Sequence, residues 1–221
     1  MIWVRIEFIK DEKLKYISHL DLMRVFERAV RRAGVNVAYS EGFNPRPKMV
    51  FGLPLPIGVI AERDYADIEI VGNAISDFNV EALNESLPSG LNINGIKERF
   101  GKENIMAAVK AAEYLIFIEK ADFGELKKDI EKFKNTKKIF IKKERKGKEN
   151  TIDIKDMIYD IDACTADEYY IRILVSAGSA DNVRPDLFLK AFCEIAEKNY
   201  SASKILRTHL YREEKGELVS C

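Results

Sequence analysis

Two histidines, four basic stretches and one loop before a helix carry most of the chemistry that this 221-residue chain offers. His19 stands beside Tyr16 and Ser18, with Asp21 as the nearest acid in sequence. His209 sits in Arg207-Thr208-His209-Leu210-Tyr211-Arg212, where strand alternation puts Arg207, His209 and Tyr211 on one face. An imidazole changes charge near neutral pH, so either histidine could carry a proton in metal-free RNA cleavage. Neither has a second histidine nearby in sequence. The competing reading of His19 is a structural or capping residue, and that of the 207–212 face is an exposed sheet surface. If the latter binds, a basic, aromatic strand face suits stacked bases.

Three further basic stretches and one loop suit phosphates. Arg24, Arg28 and Arg31 recur at helical spacing, with Arg32 beside them. A guanidinium fork grips a phosphate through two hydrogen bonds, although the same spacing also describes a solvated outer face. Arg46 and Lys48 lie in Asn44-Pro45-Arg46-Pro47-Lys48, where two prolines stiffen the loop and lower the entropy lost on binding. The stretch KKIFIKKERKGK, 137–148, holds seven positive residues and one negative, among them Lys142, Lys143 and Arg145. It reads as a strand entering a hairpin, either a lysine-protected edge or a finger on an RNA backbone. The loop GSADNVRPD, 178–186, leads from a strand to a helix N-terminus. There Gly178, Ser179 and Arg184 are anion donors, or the loop is simply well capped. Its spacing is neither GxGxxG nor GxxxxGK[ST], so a nucleotide fingerprint is absent.

Three cysteines, Cys164, Cys193 and Cys221, form no CxxxCxxC run and no CxxC pair. The chain therefore lacks the ligand spacing of an iron–sulfur cluster or a zinc site. No metal and no cofactor are expected, and no disulfide in a reducing cytosol.

The elements that hold these residues follow from periodicity. Ser18 is an N-cap, and Leu22, Phe26, Ala29, Val30 and Ala33 make one apolar face about 100° wide, with Gly34 as the stop. This predicts a helix over 18–33. Strands are expected at 3–9, 35–40, 49–53, 65–71 and 91–100, and a helix at 76–87. Pro54 and Pro56 make GLPLPIG an edge or bulged strand. With this proline-rich stretch taken as an interruption of the third strand, the order is β-α-β-β-α-β, which is ferredoxin-like. The second half repeats it, with strands at 113–119, 137–143, 169–175 and 204–212 and helices at 123–134 and 185–199. An extra segment at 147–166 suggests added strand structure. The expected fold is α+β: two ferredoxin-like halves with antiparallel sheets, over residues 1–100 and 113–221, joined by a linker at 101–112.

The run KYISHLDLMRVFERAVRRAG…YSEGFNPRPKMVFGLPLPIGV resembles the signature of the radical-SAM-linked protein family, a bacterial domain of unknown function. GSADNVRPD (178–186) and ILRTHLYREEKGELVS (205–220) resemble that family's later blocks, in the same order. The resemblance implies a companion, a cobalamin-binding radical-SAM protein, and implies no established activity. Where an NPHPK-like loop is expected, this chain has Arg46, which argues against chemistry by a loop histidine. In architecture, a ferredoxin-like pair with a histidine by its first helix also resembles the CRISPR repeat-RNA-processing endoribonucleases, although fold does not give function.

Composition sets the bounds. Hydrophobic residues make up 47%, and 36 positive side chains balance 36 negative ones. A whole-molecule basic field is thus excluded, leaving local patches. The net charge alternates: +4 over 1–50, −5 over 51–100, +5 over 101–150 and −4 over 151–221. With neither a run of about 18 apolar residues nor a signal-peptide pattern, the sequence predicts a cytoplasmic protein with no membrane association. The leading expectation is a non-catalytic accessory module of a radical-SAM system that binds RNA. The alternative is a metal-independent endoribonuclease using His19 or His209.

Overall fold

The computed structural model describes residues 1–99, 103–145, 148–178 and 181–221, except for the side chains of 143–145 and 148–149. The fold is α+β, divided into two compact units and built mostly on antiparallel strand pairings. The first unit comprises Met1–Val109 and His209–Cys221, and the second comprises Lys110–Thr208.

In the first unit β1 (Ile2–Lys10) lies between β4 (Leu91–Glu98) and β3 (Val59–Ile70). A short β2 (Met49–Phe51) takes the other side of β3, so Ile68 faces Val4 across one edge and Met49 across the other. The order is β4-β1-β3-β2. Val4, Ile6 and Phe8 alternate onto the face packed by α1 (His19–Arg32) and α2 (Val80–Ser86). Phe26 of α1 meets Phe8 and Phe51 edge-on, with ring centroids 5.0 and 5.3 Å apart. The chain's last hairpin pairs the end of β10 (Ala202–Glu214) with β11 (Glu217–Ser220). Its turn, Lys215-Gly216, has positive φ at both residues, as a tight two-residue hairpin requires.

Two expectations change here. Residues 35–40 make isolated bridges, Val37 to Ile70 and Tyr39 to Pro47, rather than a strand. Pro45 and Pro47 have no N–H to extend a ladder. The helix expected at 76–87 starts only at Val80. Asn79 caps it by accepting from Ala82 N at 2.9 Å, while Asp77 turns back to accept from Asn73 N and Ala74 N. GLPLPIG is loop, not strand.

The second unit is built on β5 (Val109–Ile118), β8 (Ile158–Thr165), β9 (Tyr169–Ser176) and the first part of β10, in the order β10-β5-β9-β8. One face of this sheet packs under α4 (Phe123–Asn135) and α5 (Pro185–Ala196), where Phe133 touches Phe188 and Phe192 at 5.3 and 5.5 Å. Pro185 opens α5, where its missing N–H costs nothing. The expected sheet strand at 137–143 is instead β6 (Phe140–Arg145), paired with β7 (Lys148–Asp153) in a separate hairpin. The place beside β9 goes to β8. Only three residues separate them, so their pairing is local and closes the smaller loop. Between β4 and β5 a single turn, α3 (Ile105–Ala108), is capped by Asn104 and fully buries Ile105.

Candidate nucleic-acid interface

The cap of α1 sets the first part of the site. Ser18 Oγ accepts from Asp21 N at 3.1 Å and donates to Asp21 Oδ2 at 2.7 Å, and Arg24 holds Oδ1 at 2.9 Å. The Ser18 hydrogen bond first, then Arg24, holds the Asp21 carboxyl below the usual carboxylate range. Beyond this cap Arg24, Arg28, Arg31 and Arg32 are all exposed, opposite the buried Leu22, Phe26, Ala29 and Val30. Arg32 donates to the carbonyl of Ser86, tying α1 to α2.

The proline loop supplies the second part. Its base is closed by Ser40 N to Arg46 O at 2.9 Å and Arg46 N to Ser40 Oγ at 3.0 Å, with Lys48 N bonded to Ala38 O. Residues 41–46 are exposed throughout. Arg46 NH1 lies 3.9 Å from Glu27 Oε1, on α1, and Lys48 Nζ lies 2.7 Å from Glu69 Oε2. At 3.9 Å, with Arg46 largely exposed, the Arg46–Glu27 pair adds little to stability, but it marks where the loop rests. Arg24 and Arg31, three residues before Glu27 and four after it, share its side of the helix. The structure therefore brings the arginine strip and Arg46 of the loop onto one surface of the first unit. Arg24, Arg28, Arg31, Arg32 and Arg46 stand there with Asp21 and Glu27, the loop also carries the exposed Glu41, and Lys48 at its foot is held by Glu69 of β3. At the tip Phe43 is fully exposed, and at the base Tyr39 is partly so.

The remaining expected residues fall elsewhere. His19 opens α1 with its ring edge-on to Phe51, 5.7 Å between centroids. Lys142 is exposed on β6, whereas the side chains of Lys143 and Arg145 lie outside those described. In the loop before α5, Gly178 is described and Ser179 is not. Arg184 is the N-cap residue of α5, and its guanidinium forks onto Asp186 at 3.0 and 2.9 Å, so its donors already serve a carboxylate. Arg207 needs correction. It is fully buried and presents nothing to a ligand.

A polar constellation that no motif announced occupies the sheet face of the first unit opposite α1. Arg5 grips Asp67 at 2.8 and 3.2 Å, Arg99 reaches the same carboxylate at 3.5 Å, and Ile105 N donates to it at 2.8 Å. The Arg99 guanidinium also lies 4.3 Å from the Trp3 ring centroid. Farther along, Tyr65 donates to Glu7 at 3.1 Å, and Arg63 lies 3.9 Å from Glu7 and 3.4 Å from His209 Nε2. His209 stacks on Tyr211 at 5.8 Å. Burial, helped by the Glu7 carboxylate, pushes the Tyr65 phenol up to about 12. The signal for this face was alternation: Arg5 and Glu7 in β1, and Arg63, Tyr65 and Asp67 in β3, recur every second residue.

Among the described residues no group of three or more His, Cys, Asp or Glu is placed to hold a metal ion. No described helix is long and apolar enough to cross a membrane. The fold is similar to a chain of the Cbf5-Nop10-Gar1 complex, with TM-score 0.54 and 12% identity over 96% of this chain and 50% of that one. A chain of the archaeal box H/ACA sRNP Nop10-Cbf5 complex matches with TM-score 0.41 and 10% identity over 91% and 46%. The chain thus spans about half the length of these solved chains. At such identity the first likeness shows fold alone. Among curated proteins no match was found. Residues 3–185 match the model of a family described as an uncharacterized protein conserved in bacteria.

Proposed function

The chain belongs to that bacterial family, DUF2344, and on this premise we propose that it is a non-catalytic RNA-binding module that works beside a cobalamin-binding radical-SAM protein. The partner rests on the sequence blocks described above. RNA rests on one observation: Arg46 of the stiff loop lies against α1, so loop and arginine strip form one cationic surface. Forked guanidinium groups on such a surface suit phosphate oxygens and give affinity with little sequence choice. In the second unit Lys142, Lys143 and Arg145 on the hairpin, and before α5 Gly178, Ser179 and, on release from Asp186, Arg184, are further proposed contacts. The strand orders β4-β1-β3-β2 and β10-β5-β9-β8 support the reading of each unit as a ferredoxin-like half.

The test is binding of a short labelled RNA at two salt concentrations. The wild-type chain is compared with an Arg24→Ala, Arg28→Ala, Arg31→Ala variant and an Arg46→Ala, Lys48→Ala variant. The expected result is a Kd of roughly micromolar at low salt that rises steeply with salt, with binding lost in either variant. Absence of binding at low salt would overturn the RNA reading and leave the cationic surface to a protein partner.

A second reading has its own support. His209 lies beside Arg63, with Tyr65 and Glu7 next along the same face. An imidazole beside a guanidinium suits phosphodiester cleavage in RNA, the histidine moving a proton and the cation meeting charge on the phosphorane. RNA cleavage by wild type that disappears in a His19→Ala, His209→Ala variant would support it, and equal cleavage by both would remove it.

A further inference from the structure

Phe43 stands apart from the cationic groups around it. It is fully exposed, at the tip of a loop closed by hydrogen bonds at its base. Two hydrogen bonds between Ser40 and Arg46 close the loop, and Tyr39 bridges to Pro47 just below. Pro45 and Pro47 restrict φ on one side of the tip. On the other, Gly42 has φ +118°, a conformation that L side chains rarely adopt. The tip thus holds a phenyl ring out into solvent, above a base pinned by the Ser40–Arg46 hydrogen bonds and the two prolines. A single exposed apolar residue needs no explanation by itself. Here the ring is followed three residues later by Arg46, with Arg24 and Arg31 on the adjoining side of α1.

We propose that Phe43 is a stacking platform for an unpaired base of single-stranded RNA, with Arg46 holding a neighbouring phosphate. The proposal rests on the RNA reading above and narrows its ligand. Aromatic rings stack on bases whose faces are free, and guanidinium groups take the backbone beside them. An A-form duplex has its bases stacked on one another, so it offers phosphates to the arginines but no base face to Phe43. The ring therefore separates two ligands that the cations alone treat alike.

The experiment uses the full chain, a labelled single-stranded RNA of mixed sequence and a duplex of the same length. Wild type is compared with Phe43→Ala, Phe43→Leu and Phe43→Trp. Single-strand affinity should fall about five- to a hundredfold in the Ala and Leu variants and hold in the Trp variant. Duplex affinity should be the same in all four proteins, as should the slope of log Kd against log salt, since no phosphate contact is removed. If Phe43→Ala binds the single strand like wild type while Arg46→Ala, Lys48→Ala binds it weakly, the stacking role is wrong and the RNA reading stands. If Leu serves as well as Phe, the ring acts as a generic apolar contact and stacking is again wrong. If wild type binds neither RNA at low salt, both readings fall, and the tip is left to a protein partner.

Discussion

Arg5 and Asp67 stand directly opposite each other in the β1–β3 register and join through two hydrogen bonds, Nε to Oδ1 at 2.8 Å and NH2 to Oδ2 at 3.2 Å. The Asp67 side chain has no exposed surface, and Arg5 is nearly buried. Ile105 N donates to the same carboxylate, so one acid fixes both the strand register and the start of α3. Removing that acid leaves a buried guanidinium without its counter-charge. Asp67→Ala should destabilise the protein by about 3–5 kcal/mol, read as a lower urea midpoint. A change below about 1 kcal/mol would mean that water or another acid replaces it.

The cap of α1 links stability to the cationic surface. Ser18→Ala removes the acceptor of Asp21 N and the donor to its carboxylate. We expect a loss of about 1 kcal/mol in thermal or denaturant unfolding. RNA affinity at a temperature where the variant stays folded should be little changed, because Arg28, Arg31 and Arg46 keep their places.

Acid should weaken the second unit through Asp153. Its Oδ1 accepts from Ile139 N and Lys155 N, both at 3.0 Å. The Ile139 bond first, then the Lys155 bond, holds its carboxyl below the usual carboxylate range. A carboxyl lowered by folding stabilises the native state above its unfolded value, about pH 4, and loses that contribution as pH falls through the lowered value. Asp153→Asn should therefore lower Tm near neutral pH and flatten the fall of Tm between about pH 5 and pH 3. An unchanged acid limb would show that Asp153 is not among the groups that set it.

Cys221 should resist alkylation. It is buried, and that burial pushes its thiol up to about 11 despite the nearby Arg5 and Arg212. At pH 8 roughly one thiol in a thousand is then thiolate. Iodoacetamide followed by peptide mass mapping should label Cys221 far more slowly in the folded protein than in urea. Rapid labelling under native conditions would mean that the β10–β11 hairpin opens readily.

What could be read from the sequence alone was local. The apolar face of α1, its Ser18 cap and the stop at Gly34 all lie within one stretch, and the helix runs within a residue or two of the expected bounds. Strand alternation likewise placed β1 and β9, and Pro185 marked the start of α5. These signals depend on neighbours a few residues apart, where backbone geometry dictates which side chains share a face. Pairing between distant segments was another matter. Both β6 and β8 have the alternation of a sheet strand, and only the close turn to β9 decided between them. Arg207 and His209 share a strand periodicity, yet one is fully buried and the other touches Arg63, since burial depends on what packs against each end of β10. Arg5 and Asp67 are 62 residues apart, and Arg46 is 19 residues from Glu27. Sequence supplied the residue types of the cationic surface. The tertiary structure alone decided that loop and helix share it and that Phe43 stands at its tip, because register and loop placement follow from long-range packing that no short window of sequence contains.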